Sequence, residues 1–240
     1  MATEVWAVSG GAGDLAWDGT GLIATAELGD AILRWDPLTD LDEEIGSRLG
    51  GSPTAVALGA DETLYVALTD SGVEGFVGIL TDLHQIEVLA SAAGSALFRR
   101  PVDLAWDEDG TLLVADSGAE ALWRVPVDGR EATAVHTGIA IDAVVRHQQE
   151  VLLATEDGVL RLDGDTLALY ADLEVRDLVS WGNVLLGTTE DGVVEVLDGS
   201  VLVGLDAGRP TALTLAGDTL YVADVSGGRI WAADLALVGD

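Results

Sequence analysis

Residues 102–125 read VDLAWDEDGTLLVADSGAEALWRV, and this phrase recurs along the whole chain. Two close copies are GDLAWDGTGLIATAELGDAILRWD from Gly13 and TALTLAGDTLYVADVSGGRIWAAD from Thr211. Weaker copies begin at Thr54, Ile141 and Arg176. Each copy consists of short runs rich in Val, Leu, Ile, Trp and Ala, separated by Asp-Gly, Ser-Gly or Gly-Asp pairs, which is typical of successive β-hairpins. The chain is therefore predicted to be a repeat protein.

The spacing of the copies indicates the size of the repeating unit. Taking the second residue of each phrase as the anchor gives Asp14, Ala55, Asp103, Asp142, Asp177 and Ala212. The anchors are 41, 48, 39, 35 and 35 residues apart. Each copy shows three strands, and a fourth, weaker strand follows it, for example in residues 131–138 and 167–173. Four antiparallel strands per repeat of this length form a propeller blade, so we predict an all-β, six-bladed β-propeller in one domain spanning residues 1–240.

The two ends of the chain complement each other. The last copy stops at its third strand, around residues 229–235, whereas a lone strand at residues 4–8 precedes the first copy. We expect this N-terminal strand to supply the outer strand of the last blade, because closing the ring covers an edge that would otherwise invite aggregation. The longer connections at residues 40–49 and 90–100 are predicted to contain the helical turns of the chain.

Charge restricts the classes of partner. The sequence has 42 acidic residues and 11 basic residues, and its formal net charge is -31. Every basic residue is Arg. Such a field repels phosphate backbones and anionic lipids, so neither nucleic-acid nor membrane binding is expected. An acidic, Lys-free chain suits a salt-rich environment, which favours a halophilic or marine origin, although GC-rich coding has the same effect on Lys.

Several classes of site have no support in the sequence. There is no Cys, so disulfides, thiolate metal sites and Cys nucleophiles are excluded. No motif for a nucleophile elbow, phosphate loop, dinucleotide fold or zinc protease occurs. The N-terminus lacks the pattern of a signal peptide, and no apolar run is long enough to span a membrane. We expect a soluble, cytoplasmic monomer.

Three motifs resemble those of a known group of propellers: AILRWDPLTD from Ala31, FRRPVDLAWDEDGTLLVADSG from Phe98 and RPTALTLAGDTLYVADVSGGRIW from Arg209. They are similar to NHL-repeat propellers and to the senescence-marker-protein, gluconolactonase and strictosidine-synthase group. The resemblance implies a six-bladed fold, and for the lactonase members a divalent metal held by Glu, Asn and Asp before the first strands. Alignment by the Trp residues puts Gly13, Val102 or Thr211, and Ile141 at those positions, so the metal ligands of the group are not retained.

Four of the six repeat anchors are aspartates: Asp14, Asp103, Asp142 and Asp177. If the first strand of each blade begins at the top of the central channel, these carboxylates converge there and form either a site for a hard cation such as Ca²⁺ or an acid/base pair. Alternatively, each Asp caps the turn leading into its strand. A second acidic set follows the second strands, where binding to backbone N–H groups of the same turn is the favoured interpretation; it comprises Glu27, Asp70, Asp116, Asp157, Asp191 and Asp224.

The candidate ligand-binding residues are Arg99, Arg100 and Arg176, because they precede first strands in a strongly acidic chain. They are predicted to bind an anionic group or to neutralise neighbouring acids. The seven Trp residues fall in strand phrases and are interpreted as packing between blades. The favoured function is a non-catalytic propeller that binds a small molecule or protein at the top of its channel. The alternative is a divalent-metal-dependent hydrolase or lyase, lactonase-like, that uses the Asp cluster.

Overall fold

The computed structural model describes residues 2–26, 30–70, 74–81, 84–205 and 209–237. In this part of the chain, the strands form six four-stranded antiparallel sheets and one short two-stranded hairpin. Each sheet is assembled from strands that are adjacent in sequence, except the last, which also includes the N-terminal strand. The sheets therefore correspond to the predicted blades.

The first half of the chain forms one lone strand and three blades. Strand β1 is Thr3–Ala7. Blade 1 contains β2 (Ala12–Trp17), β3 (Leu22–Ala26), β4 (Ala31–Asp36) and β5 (Leu41–Ser47). Blade 2 contains β6 (Ser52–Leu58), β7 (Leu64–Thr69), β8 (Gly75–Leu80) and β9 (Ile86–Ala90). The following hairpin is β10 (Ala92–Ala93) and β11 (Ala96–Leu97). Blade 3 contains β12 (Pro101–Trp106), β13 (Leu112–Asp116), β14 (Ala121–Val125) and β15 (Thr133–Thr137).

The second half of the chain repeats this plan. Blade 4 contains β16 (Ala143–His147), β17 (Glu150–Thr155), β18 (Gly158–Asp163) and β19 (Thr166–Ala171). Blade 5 contains β20 (Leu178–Trp181), β21 (Val184–Thr189), β22 (Gly192–Glu195) and β23 (Val201–Gly204). Blade 6 contains β24 (Pro210–Ala216), β25 (Thr219–Asp224) and β26 (Arg229–Asp234), together with β1. A 3₁₀ turn, Leu235–Leu237, follows.

The first strands of the blades form a closed ring. Each packs against the first strand of the next blade, and β24 of the last blade packs against β2 of the first. These six strands surround a central channel, as expected for a propeller. We call the end at which the first strands begin the upper end and the opposite end the lower end. The chain is a six-bladed β-propeller, as the repeat predicts.

The N-terminal strand closes the ring. Strand β1 pairs antiparallel with β26, with Thr3 opposite Ala232 and Ala7 opposite Arg229. Beyond the strand, the N–H of Val8 donates to the carbonyl of Gly228 at 2.6 Å. A Cβ atom on residue 228 would lie 2.5 Å from the Val8 carbonyl oxygen, and its φ of +61° also favours glycine. The prediction that the N-terminus completes the last blade is confirmed.

The helical turns predicted at residues 40–49 and 90–100 are wrong. Residues 41–47 form β5, which pairs with β4 along its whole length, and the second connection contains the β10–β11 hairpin. The Asp36 side chain accepts the N–H of Leu38 and the hydroxyl of Thr39, each at 2.8 Å, which forms a tight turn instead of a helix. The exposed acids of β5 suit an outer strand, since charge at a sheet edge disfavours aggregation.

Aromatic side chains fill the spaces between blades, as predicted. Trp17 stacks on Tyr221 of blade 6 with 5.8 Å between ring centroids, and Tyr65 of blade 2 meets Trp106 of blade 3 edge to face. Large rings suit this position because two flat sheets that meet face to face need bulky filling. Among the described residues, no helix is long and apolar enough to cross a lipid bilayer.

Candidate functional site

Three aspartates on alternate blades link neighbouring first strands; we call Asp14, Asp103 and Asp177 the inner carboxylates. In each, Oδ1 accepts the N–H of the next residue at 2.7 Å. The other oxygen accepts an N–H from the following blade, at 2.8, 2.6 and 2.5 Å respectively; the donors are Val56, Val144 and Leu213. Each inner carboxylate therefore joins an odd-numbered blade to the even-numbered blade after it.

The even-numbered blades use a different link. The hydroxyl of Thr54 donates to the carbonyl of Pro101 in blade 3 at 2.6 Å, and that of Thr211 reaches the carbonyl of Ala12 in blade 1 at 3.4 Å. Each Thr occupies the residue before the repeat anchor. Acidic acceptors and hydroxyl donors thus alternate around the ring, which reveals a two-blade unit within the six-blade repeat.

Blade 4 departs from this alternation at Asp142. The N–H that Asp103 accepts belongs to Val144, and Ala143 pairs with Ala154 just as Ala55 pairs with Ala67. Asp142 therefore corresponds to Thr54 and Thr211, one residue earlier than its alignment with the inner carboxylates. The sequence alignment was wrong at this point because it matched like residues, whereas the hydrogen bond between blades determines the register.

Burial and mutual repulsion change the acidity of the inner carboxylates. Burial raises the pKa of Asp177 well above its usual value, and the nearby charges of Asp103 and Asp14 raise it further. Burial also raises the pKa of Asp103, to about 6, although the N–H groups of Val144 and Leu104 oppose the shift. The three carboxylates thus lie close enough for their charges to interact. Within the described residues, however, no three His, Asp or Glu side chains are grouped as a metal ion would require.

Replacing Asp103 with Asn is expected to flatten the pH dependence of stability. Since its pKa of about 6 exceeds the ordinary value of 3.8, the folded protein holds this proton more tightly than the unfolded chain does. The stabilisation is therefore present below about pH 4 and is lost as the pH rises through about 6, a change on the order of 3 kcal/mol. Urea unfolding of the wild type and D103N between these pH values measures it. If the free energy of unfolding changed with pH in the same way in D103N as in the wild type, the prediction would be contradicted. The control D172N, at an exposed site, should show the same pH dependence as the wild type.

A mixed-charge group lies at the upper end of the channel. Asp142 is exposed, yet the partial burial of its carboxylate raises its pKa, with Glu174 adding to the shift and Arg100 and Arg176 opposing it. Both guanidinium groups must therefore be near Asp142, although they come from the connections into blades 3 and 5. We call Arg100, Asp142, Glu174 and Arg176 the channel-mouth group. It combines two predicted ligand-binding residues with one predicted metal ligand.

Arg100 and Arg176 of the channel-mouth group are held in place by different contacts. The backbone N–H groups of Arg99 and Arg100 donate to the buried carboxylate of Asp116 at 2.9 and 2.8 Å, which fixes their connection while their side chains stay exposed. Arg176 lies 3.6 Å from Glu190 and borders a cavity of about 480 Å³ in blade 5. Among the described residues, neither Arg99 nor Arg100 forms an ion pair within 4.0 Å, whereas seven other arginines do.

Other predicted residues have structural roles or lie elsewhere. Asp116 and Asp224 each accept several backbone N–H groups of the upper loops, which confirms their interpretation as turn-binding residues. Arg99 neighbours Arg100 but is not among the groups that shift the pKa of Asp142. Glu27 lies outside the described residues. Sequence reasoning missed Glu174, because no repeat position marks it as part of the mouth.

The chain is similar to known propellers in structure, and part of it matches a family model. A family model described as the lipoprotein LpqB beta-propeller domain matches residues 88–190, and no curated protein sequence matches the chain. A gluconolactonase from Xanthomonas campestris superposes with a TM-score of 0.80 at 16% identity, covering 96% of this chain and 88% of that one. The chain therefore shares its fold with this gluconolactonase. This propeller is also similar to virginiamycin B lyase from Staphylococcus aureus, with a TM-score of 0.66, 11% identity and coverage of 97% and 98%. The PQQ-bound aldose sugar dehydrogenase of Streptomyces coelicolor superposes with a TM-score of 0.71 at 12% identity, covering 97% of each chain.

Proposed function

We propose that this propeller binds a small molecule with a carboxylate group at the upper end of its channel, using Arg100 and Arg176. The observation that carries the proposal is that two guanidinium groups from different blades lie near Asp142 in a chain of net charge -31. Arg100 forms no ion pair within 4.0 Å among the described residues, and the partner of Arg176, Glu190, is largely exposed, so both guanidinium groups can still bind a ligand. A guanidinium presents paired N–H donors that match the two oxygens of a carboxylate.

The remaining members of the channel-mouth group suit a hydroxylated ligand. Asp142 and Glu174 are acceptors beside the two guanidinium donors, so a carboxylate on the arginines would place neighbouring hydroxyl groups within reach of the acids. Gluconate has this combination of groups, and one fold neighbour is a gluconolactonase. Gluconate is therefore a reasonable first probe.

Replacing Arg100 and Arg176 together with Gln is expected to weaken gluconate binding at least tenfold, which corresponds to about 1.4 kcal/mol. The loss follows from removing both charged donors while keeping polar, uncharged side chains at the two positions. Isothermal titration of gluconate measures the affinity. Arg130→Gln is the matched control, because Arg130 is an exposed residue paired with Asp128 in a separate loop. Equal affinities for the wild type and R100Q/R176Q would refute the proposal.

A second candidate function is lactone hydrolysis, favoured by the position of Asp142. A carboxylate with a raised pKa, open to solvent and flanked by guanidinium groups, has the properties of a general base beside donors that stabilise an oxyanion. The inner carboxylates do not provide three grouped ligands, so we derive no metal-dependent step, and Ca²⁺ binding stays a prediction. Hydrolysis of glucono-1,5-lactone, lost in D142N and kept in R130Q, would support this function. Hydrolysis that D142N leaves unchanged, or no hydrolysis with or without Ca²⁺, would leave the binding function alone.

A further inference from the structure

The lower ends of the blades are joined by side-chain contacts that we call latches. Each latch uses a residue at or near the lower end of a first strand. Within the described residues, latches join five of the neighbouring pairs of blades: Trp106 Nε1 to the Leu58 carbonyl at 2.8 Å; Arg146 to Asp107 at 3.3 Å and to Glu108; His147 Nδ1 with Ser180 Oγ at 2.9 Å; Trp181 Nε1 to Asp218 Oδ1 at 3.3 Å; and Trp17 stacked on Tyr221.

Blades 1 and 2 differ from the other pairs. Among the residues that the structure describes, no hydrogen bond, ion pair or ring contact joins their lower ends, because Trp17 packs against blade 6 and Leu58 takes the position that Trp occupies in blades 1 and 3. A groove of about 1070 Å³ opens at this junction. We call it the blade 1–2 groove.

The floor of the blade 1–2 groove is apolar. It includes Ile45 and Leu58, and from the third strand of blade 2 Ile79 and Leu80, all of them partly exposed side chains. Beneath Ile45, Leu58 and Leu80 lies the buried cluster that packs blade 1 on blade 2, whereas Ile79 borders the groove and also packs against the cluster between blades 2 and 3. Apolar surface left open to water between two elements is the kind of surface that binds a partner.

The rim of the groove carries an excess of negative charge. Four carboxylates border it: Asp18, Glu43, Asp61 and Glu62. Arg34 also borders it, but its guanidinium is 2.5 Å from Asp18 and 3.9 Å from Glu43, so its charge is already compensated. An occupant must therefore combine apolar groups for the floor with cationic groups for the rim.

We propose that the blade 1–2 groove binds a basic amphipathic helix of a partner protein. Such a helix places a row of apolar side chains in a groove while Lys and Arg on its flanks meet the acidic rim. The groove volume lies at the upper limit of small-molecule pockets, about 300–1,000 Å³, and the groove is open, so a peptide segment fits it better than a small ligand. Because the groove lies at the lower ends of blades 1 and 2, whereas the channel-mouth group lies at the upper end, we expect this binding to be independent of that group.

The test uses a labelled synthetic helix of about 18 residues, five turns long, with Leu on one face and Lys and Arg on the other. Fluorescence anisotropy with the full chain is expected to show binding that Ile79→Glu weakens at least tenfold. This substitution adds a negative charge, so attraction by net charge alone would strengthen binding instead. Equal or tighter binding by I79E would overturn the proposal.

A second variant keeps the test valid if I79E folds poorly. Glu43→Lys with Glu62→Lys changes two exposed rim residues and should also weaken binding at least tenfold. The matched control, Glu131→Lys with Asp165→Lys, makes the same charge change at exposed sites in blades 3 and 4, and its affinity should stay within about twofold of the wild type. The proposal would be overturned if the control variant lost as much affinity as the rim variant, because net charge alone would then explain the binding. It would also be overturned if an analogue with Glu in place of Lys and Arg bound, or if sedimentation showed that the groove forms a dimer of this chain.

Discussion

Replacing Trp6 with Ala is expected to lower the free energy of unfolding by about 4 kcal/mol. Trp6 lies on the N-terminal strand β1 and is only 7% exposed. Its ring stacks on Trp35 of blade 1 at 6.1 Å between centroids, within the cluster that packs blade 6 on blade 1. Alanine would remove this buried surface and leave a cavity where the ring of blades closes. Urea unfolding followed by circular dichroism measures the change without relying on Trp fluorescence.

Two companion variants distinguish the loss of ring closure from a general effect of substitutions in β1. Trp6→Phe keeps an aromatic ring and should lose less than half as much stability, whereas Thr3→Ala, at an exposed position of the same strand, should change stability by less than about 0.5 kcal/mol. Aggregation should also increase in W6A, because loosening β1 exposes the edge of β26. A loss in W6A no larger than in T3A would mean that β1 contributes little to closing the propeller.

Replacing Asp177 with Ala is expected to cost about 3 kcal/mol, and to lower the melting temperature by about 9 °C for a domain of this size. The variant leaves the N–H groups of Leu178 and Leu213 without their carboxylate acceptor, and both of these residues are buried. It also removes the link between blades 5 and 6. Relief of repulsion from Asp103 and Asp14 offsets part of this cost. Thermal and urea unfolding at neutral pH measure the net effect.

Matched substitutions test whether the bridging hydrogen bonds account for the loss. Asp177→Asn retains one acceptor oxygen and should lose less stability than D177A. Asp172→Ala, at a nearby exposed residue, should be close to neutral. If D177A and D172A were equally stable, the inner carboxylates would have no structural role, and their grouping would need a functional explanation.

Much of the fold could be predicted from the repeat, because a blade is built from hairpins between neighbouring strands. The fourth strands predicted in residues 131–138 and 167–173 are β15 and β19. Closure by the N-terminus could also be predicted. The last blade has three strands of its own, and the N-terminal strand can cover its exposed edge. The error at residues 40–49 has a local cause: the turn formed by Asp36 directs the chain back along β4.

The candidate site was less predictable. Asp142 was matched with the inner carboxylates because of its residue type, but its register depends on which N–H group Asp103 accepts from blade 4. Arg100 and Arg176 could be named because they precede first strands, yet their approach to Asp142 depends on the ring that brings blades 3, 4 and 5 together. Glu174 and the blade 1–2 groove had no sequence signal, since both arise from contacts between different blades.

The number of blades, the strand order and the acidic charge follow from the sequence alone, because hairpin pairing and composition depend on residues that are adjacent along the chain. The tertiary structure decides which carboxylates bridge two blades, which arginines come near Asp142 and where a latch between blades is missing. These features join residues about forty positions apart, and their distances are set by the closure of the ring. Small differences between repeats, such as Asp142 in place of Thr or Leu58 in place of Trp, therefore have consequences that appear only when neighbouring blades meet.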